Sequence, residues 1–184
     1  MKKILLSIAS LAVITTSAMA EDKFFIGLDL VHHDVTFSLS DTYSGMSGSG
    51  EDSHVAPSFK IGMVADEYRL YGRYDIAYDE YGISYDSLDL NLEGLHSLSM
   101  NTNLYYGLHA GMGWFDIAGI VTDEGPQYGL QAGVIQDINQ NLSLEAGIRY
   151  TIATAGFYFA DGIDSLTLDA DSVLALSVGV NFKF

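Results

Sequence analysis

The chain has 184 residues, with 24 Asp and Glu against 8 Lys and Arg, a formal charge of −16 and no cysteine. That acidity excludes the basic footprint of a nucleic-acid binder and docking on anionic lipid through a polybasic patch. The lack of cysteine excludes a disulfide framework and thiolate chemistry, and the plentiful aromatic and β-branched residues exclude an acidic disordered chain.

Residues 1–20 read as a secretory signal peptide. Lys2 and Lys3 form a positive start, Ile4 to Ala18 is apolar apart from Ser and Thr, and Ala18-Met19-Ala20 supplies small residues for cleavage near Ala20. The apolar run is too short for a comfortable helical span, and Glu21 and Asp22 follow at once. Residues 21–184 are then one domain, two units more negative than the full chain.

Along that domain the hydropathy period is two. The first strand, 24–39, carries Phe24, Ile26, Leu28 and Leu30 on one face; Val35, Phe37 and Leu39 have the other parity, which predicts a bulge near Val31–His33 or emergence from a bilayer. Strand 55–65 sets Val55, Phe59, Ile61 and Met63 against Ser58, Lys60 and Gly62. Strand 68–79 sets Leu70, Tyr74 and Ile76 against Arg69, Arg73, Asp75 and Asp79. In 86–95, Leu88, Leu90 and Leu92 oppose Asp89, Asn91 and Glu93. Strand 102–115 opposes Leu104, Tyr106, Leu108 and Met112 to Gly107, His109 and Gly111. Strands 127–136 and 142–153 continue the pattern, with Glu145, Gly147 and Arg149 opposite Leu144, Ile148 and Tyr150. The last strand, 166–184, places Leu166 through Phe184 at even positions.

Three features put the polar face inside a barrel. It is rich in glycine, and an eight-stranded barrel has room only for side chains that just fill it. It carries charges of both signs at mid-strand, which lipid would not tolerate. Aromatics cluster near strand ends on the apolar face: Phe24, Tyr68, Phe182 and Phe184 at one end, Tyr78, Trp114, Tyr128 and Tyr150 at the other. Short linkers near Asp66-Glu67, His96–Asn101 and Asp137–Asn141 alternate with longer ones at Ser40–His54, Glu80–Tyr85, Asp116–Pro126 and Thr154–Ser165. The expected fold is therefore all-β: an eight-stranded antiparallel up-and-down transmembrane β-barrel in the outer membrane.

On these patterns, and on the alternating end of the chain from Leu174 through Val178, Val180 and Phe182 to Phe184, the sequence resembles small eight-stranded outer-membrane proteins: the OmpA transmembrane domain, OmpX and the opacity-type surface antigens. The resemblance implies that Phe182 and Phe184 form the signal read by the barrel-assembly machinery. No separate peptidoglycan-binding domain is expected, because the chain stops at the barrel, and the expected barrel is a monomer in contact with outer-membrane lipid and lipopolysaccharide.

The clearest constellation is a lumenal charge network of Lys60, Arg73, Asp75, Asp89, Glu93, Glu145 and Arg149. It reads as a plug rather than a gated path, since side chains fill a barrel of this size. His32, His33 and His54 flank the first long linker as rim histidines rather than metal ligands. The acidic residues near the long linkers, including Asp41, Glu51, Asp52, Asp123, Glu124, Asp161, Asp164, Asp169 and Asp171, read as a solvated surface, with cation bridging to lipopolysaccharide as the rival. Phe157, Tyr158 and Phe159 are candidate adhesive contacts. His96-Ser97-Leu98-Ser99 is the nearest approach to a hydrolase motif, but no carboxylate is evident beside it, so no catalytic residue, metal or cofactor is expected. The expected role is structural or surface-interactive; the alternatives are a narrow porin-like channel and a lipid A-modifying enzyme.

Overall fold

The computed structural model describes residues 23–41, 46–76, 83–117, 121–154, 156–161 and 164–184. The expected signal peptide and Tyr78 lie outside the described residues. So do the side chains of Asp41, Asp123, Asp161, Asp164 and Asp169, and those of Phe157, Tyr158 and Phe159.

The strands are β1 (Lys23–Asp41), β2 (Met46–Val64), β3 (Tyr68–Asp75), β4 (Ile83–Ser99), β5 (Thr102–Ile117), β6 (Val121–Asp137), β7 (Leu142–Ala153), β8 (Gly156–Asp161) and β9 (Asp164–Lys183). They pair antiparallel in the order β1-β2-β3-β4-β5-β6-β7-β9-β8, and β1 pairs with β9 to close the sheet. The short β8 occupies the same edge of β9 as β7 and lies beyond it, so the wall is an eight-stranded barrel. The closure is complete at its lower edge. Phe24 and Phe184 exchange both backbone hydrogen bonds, at 3.2 and 2.9 Å.

Period two maps onto the wall as anticipated. From Phe25 to Val35 the odd residues of β1 are buried inside, and Ile26, Leu28 and Leu30 are exposed outside. The same alternation runs through β6 and β7. The exposed residues form a continuous apolar belt whose members, such as Leu108 and Leu130, are about as exposed as surface residues of a water-soluble protein (60% and 61%). An apolar belt of that extent needs hydrocarbon around it. Belt and closed antiparallel wall together make this an outer-membrane barrel.

One end of the barrel is made of tight turns. Ala65 N–H donates to Tyr68 O at 2.9 Å, and Met100-Asn101 alone connects β4 to β5. At the third turn the Asn139 carboxamide oxygen accepts from the amides of Asn141 and Leu142, both at 2.9 Å, a side-chain imitation of a backbone turn. The turn expected at His96–Asn101 is thus mostly strand.

At the opposite end the strands run further than the hydropathy pattern indicates. The β1–β2 ladder continues to Asp41↔Met46, and β5–β6 to Ile117↔Val121. Most of the linkers expected at Ser40–His54 and Asp116–Pro126 are therefore tall hairpins, and Thr154–Ser165 contains β8. Beyond the bilayer both faces of a strand meet water, so the apolar period fades while the backbone ladder persists.

The bulge expected near Val31–His33 is absent. β1 keeps one register against β2 throughout. The irregularity lies in β9, where Asp171 is the extra residue opposite Thr36 and Phe37. Below it odd residues of β9 pair with odd residues of β1; above it even residues do, so the run Leu166–Phe184 does not keep one parity. Val31 and Val35 are apolar residues that simply face inward. Their cross-strand partners include Ala56 and Val173, and all four are buried.

The belt yields a first prediction. Leu108→Arg should destabilise the folded barrel by about 2–4 kcal/mol, the cost of a lipid-facing cation near mid-bilayer. Reversible folding into liposomes at graded denaturant would measure it.

Candidate functional site

Inside the wall, inward residues of five strands, β1, β2, β3, β4 and β7, converge on one lattice of ion pairs. The seven residues singled out from the sequence all belong to it, and two more join them: Asp29 from β1 and Arg69 from β3. Four cations meet five carboxylates among the described residues. None of the nine side chains belongs to a residue more than 6% exposed, and Glu93 is 1% exposed.

The half nearer the turn end centres on Arg69. Its Nε donates to Glu93 at 2.6 Å and its Nη1 to Glu145 at 2.8 Å; Nη2 also meets Glu93. The guanidinium is packed among aromatic rings, with the centroids of Phe25, Tyr71 and Tyr105 at 5.7, 5.3 and 4.9 Å. Arginine suits this place because its planar fork can serve two carboxylates while its faces lie on rings. Glu93 also accepts from the Tyr71 hydroxyl at 2.7 Å and from Gln131 Nε2 at 2.8 Å. Glu145 accepts from Asn181 at 2.9 Å and pairs with Lys60 at 3.0 Å.

Asp29 links the two halves. It lies 2.9 Å from Lys60 Nζ and 3.4 Å from Arg73 Nη1. Arg73 Nε donates to Asp75 at 2.8 Å. Arg149 reaches Asp89 at 2.9 Å and Asp75 at 3.4 Å, and donates to the Asn91 carboxamide oxygen at 3.2 Å. Gln127 Nε2 completes Asp89 at 2.7 Å, while its own oxygen takes the Tyr85 hydroxyl. The buried carboxylates thus collect neutral donors as well as cations, which is what a charge removed from water requires.

The cross-section is set by glycine. A Cβ on Gly133 or Gly147 would run into the Tyr105 hydroxyl, so the two neighbouring strands give up their side chains to admit one large ring. Towards the hairpin end, Val31, Val35, Ala56, Val173 and Ala175 line the lumen above the charges. Chemically the arrangement is a solid, cross-braced core. Each of its nine charged groups meets at least one of opposite sign.

Asp29 and Arg69 were missed for separate reasons. Asp29 sits in a strand whose other inward residues include Phe25, Val31 and Val35, so no charged face is visible there. Arg69 follows the Asp66-Glu67 turn so closely that it resembles a rim residue, yet its long side chain extends into the core.

The remaining candidates are peripheral. His33 points inward and stacks on His54, with centroids 5.1 Å apart and planes at 23°. His32 faces outward beside Asp34 and the Ser53 hydroxyl, each at 3.2 Å. Among the described residues, no group of three or more His, Asp or Glu is placed to hold a metal ion. His96 and Ser97 are exposed near the turn end, and the Ser97 hydroxyl donates to the Asn103 carboxamide oxygen at 2.8 Å. Asp52 lies 3.6 Å from His54, and Glu124 accepts from the Trp114 indole at 3.2 Å. Phe182 and Phe184 sit side by side on the outer face at the turn end, 6.2 Å apart.

No family model matches the sequence, and no curated protein is significantly similar to it. Solved structures do match the fold. OprG from Pseudomonas aeruginosa aligns with a TM-score of 0.64 at 14% identity, over 88% of this chain and 96% of that one. Neisserial surface protein A gives 0.61 at 16% identity, over 88% and 97%. OprH from P. aeruginosa gives 0.59 at 21% identity, over 88% and 99%. At such identities the likeness is one of architecture: this chain has the fold of small outer-membrane barrels.

The lattice predicts an asymmetry. Glu145→Ala should cost about 3–5 kcal/mol, because it takes one of two carboxylates from each of Lys60 and Arg69 and leaves both short of negative charge in a dry interior. Glu145→Leu made together with Arg69→Met and Glu93→Gln, which leaves Lys60 with Asp29 and strands no charge, should cost less than Glu145→Ala alone. Urea unfolding of the wild type and the two variants in lipid would read the difference.

Proposed function

We propose that the chain is a non-conducting outer-membrane anchor that holds its tall acidic hairpins outside the cell, in a structural or surface-interaction role. The observation that carries this reading is the filled lumen. A path for solute would have to pass between Arg73, Arg149 and Asp75, whose side chains are buried against one another. In this orientation the tight-turn end faces the periplasm and the β1–β2 and β5–β6 hairpins face outward, the usual disposition of such barrels.

The proposal includes the barrel as a monomer, inserted by the barrel-assembly machinery through the strand end bearing Phe182 and Phe184, and bathed in outer-membrane lipid and lipopolysaccharide. It includes no catalytic step. A hydrolytic triad needs a carboxylate to orient its histidine, and His96 is instead exposed at the periplasmic rim.

Planar-bilayer recording tests the central claim. The wild-type barrel should give no stable conductance, and Arg73→Gln with Arg149→Gln should not open one; a graded current that depends on these two residues would establish a gate instead. Assembly is tested independently. Removal of Phe182 and Phe184 should lower the amount of folded barrel recovered from outer membranes several-fold, while refolding of the purified chain in detergent persists.

A further inference from the structure

The lumenal lattice does not balance. Its carboxyl groups are Asp29, Asp75, Asp89, Glu93 and Glu145, and its cations are Lys60, Arg69, Arg73 and Arg149. The chain has no fifth cation to place there. Its other Lys and Arg residues are Lys2 and Lys3 in the expected signal peptide, Lys23, which is exposed, and Lys183, which pairs with Asp137. An unmatched ionised carboxylate in a dry interior is costly, and such a group takes up a proton instead. Packing favours the same outcome, because a proton needs no room. A Cβ on Gly107, Gly111 or Gly179 would run into Glu93, Asp89 or Asp29, so these glycines already stand aside for the carboxyl groups.

We propose that Asp89 is held as the neutral acid at neutral pH, so that the closed barrel carries one internal proton. Contacts select it among the five. Asp29, Asp75 and Glu145 each meet two cations. Glu93 and Asp89 each meet one and share it, Arg69 with Glu145 and Arg149 with Asp75. Glu93 is nevertheless complete as a carboxylate. Two nitrogens of Arg69, the Tyr71 hydroxyl and Gln131 fill its four acceptor sites. Asp89 has two close donors, Arg149 at 2.9 Å and Gln127 at 2.7 Å. The Ser87 hydroxyl is 3.5 Å away and nearer to Asp75, at 3.3 Å. Gln127 makes the acid form satisfiable. Turned end for end, its carboxamide accepts the Asp89 O–H and donates to the Tyr85 oxygen, and the half-buried Tyr85 keeps its own O–H for solvent. The other charged neighbours of Asp89 are on β3: Arg73, opposite it in the ladder, and Asp75. The buried histidines are engaged elsewhere, His109 of β5 with Thr151 and His33 of β1 with His54.

Infrared spectroscopy of the full-length barrel in an ester-free detergent tests the proposal. At neutral pH the exposed carboxyl groups are ionised, so a carboxylic-acid C=O band reports the buried acid. One such band is expected. It should move to lower frequency when aspartate carries carbon-13 at its side-chain carboxyl, and stay in place when glutamate does. Asp89→Asn should abolish it. A spectrum without the band, the result if a histidine or a bound ion supplies the fifth positive charge, overturns the proposal, and so does a band that follows the glutamate label. Unfolding gives a second arm. From about pH 7 to 9 histidine is neutral in both states, whereas the Asp89 proton is bound by the folded barrel and released by the unfolded chain. The wild-type urea midpoint should therefore fall as pH rises, and that of Asp89→Asn should stay level; parallel profiles overturn the proposal. If Asp89→Asn does not fold, Asp89→Glu takes its place. There the band should pass from the aspartate label to the glutamate label, and a band still following aspartate overturns the assignment.

Discussion

Hydrocarbon offers no hydrogen-bond partner to a peptide group, and every other feature of this molecule follows from that constraint. A strand in lipid must be paired on both edges, so β1 has to find β9 across nearly the whole length of the chain. The ladder between them runs from Phe25↔Lys183 to Asp41↔Leu166. Once eight strands close, the inner volume is fixed and small. The side chains inside must fill it without strain, and those outside must be apolar. The two faces of each strand therefore have opposite chemistry one residue apart, and a register slip of a single residue would exchange them.

The lumenal lattice answers the inner half of that problem with polar groups. A buried ion pair is weak evidence for stability, since desolvation offsets most of the attraction. Here the pairs are not isolated. Glu145 is shared by Lys60, Arg69 and Asn181, and Asp75 by Arg73 and Arg149. Because the ion pairs join β1, β2, β3, β4 and β7, the lattice braces the wall across its diameter as well as around its rim. A strand pair that slipped register would leave several charges uncompensated at once. In this barrel the charges thus serve uniqueness of register more than depth of stability.

Much of this was legible from residue alternation alone. The paired charges at Lys60, Arg73, Glu145 and Arg149 betray an inner face, because no lipid face would carry them, and the inward glycines say how narrow that face is. What stayed hidden has a common cause: hydropathy reports the environment of a residue, not its direction. Val31 and Val35 face inward yet are apolar, so β1 looked as if it changed register. The outer part of β2, residues 47–53, is exposed on both faces, so it looked like a loop. The bulge at Asp171 lay inside a run whose alternation reads as unbroken. Arg69 was disguised by its position next to a turn, and only the length of its side chain carries its charge to Glu145.

A polar core also resolves a conflict that an apolar one would create. With the outer face of every strand committed to Leu, Ile, Val and aromatic residues, apolar inner residues would turn each strand into a continuous hydrophobic run. Such runs favour the other membrane solution, the helix, once they approach about 20 residues, and they aggregate while unpaired. Charges and glycines at alternate positions hold each strand below that limit. The same alternation that makes each strand too polar for a helical span is accommodated once the sheet closes, because Arg69 then meets Glu145 and Arg149 meets Asp89 across the lumen.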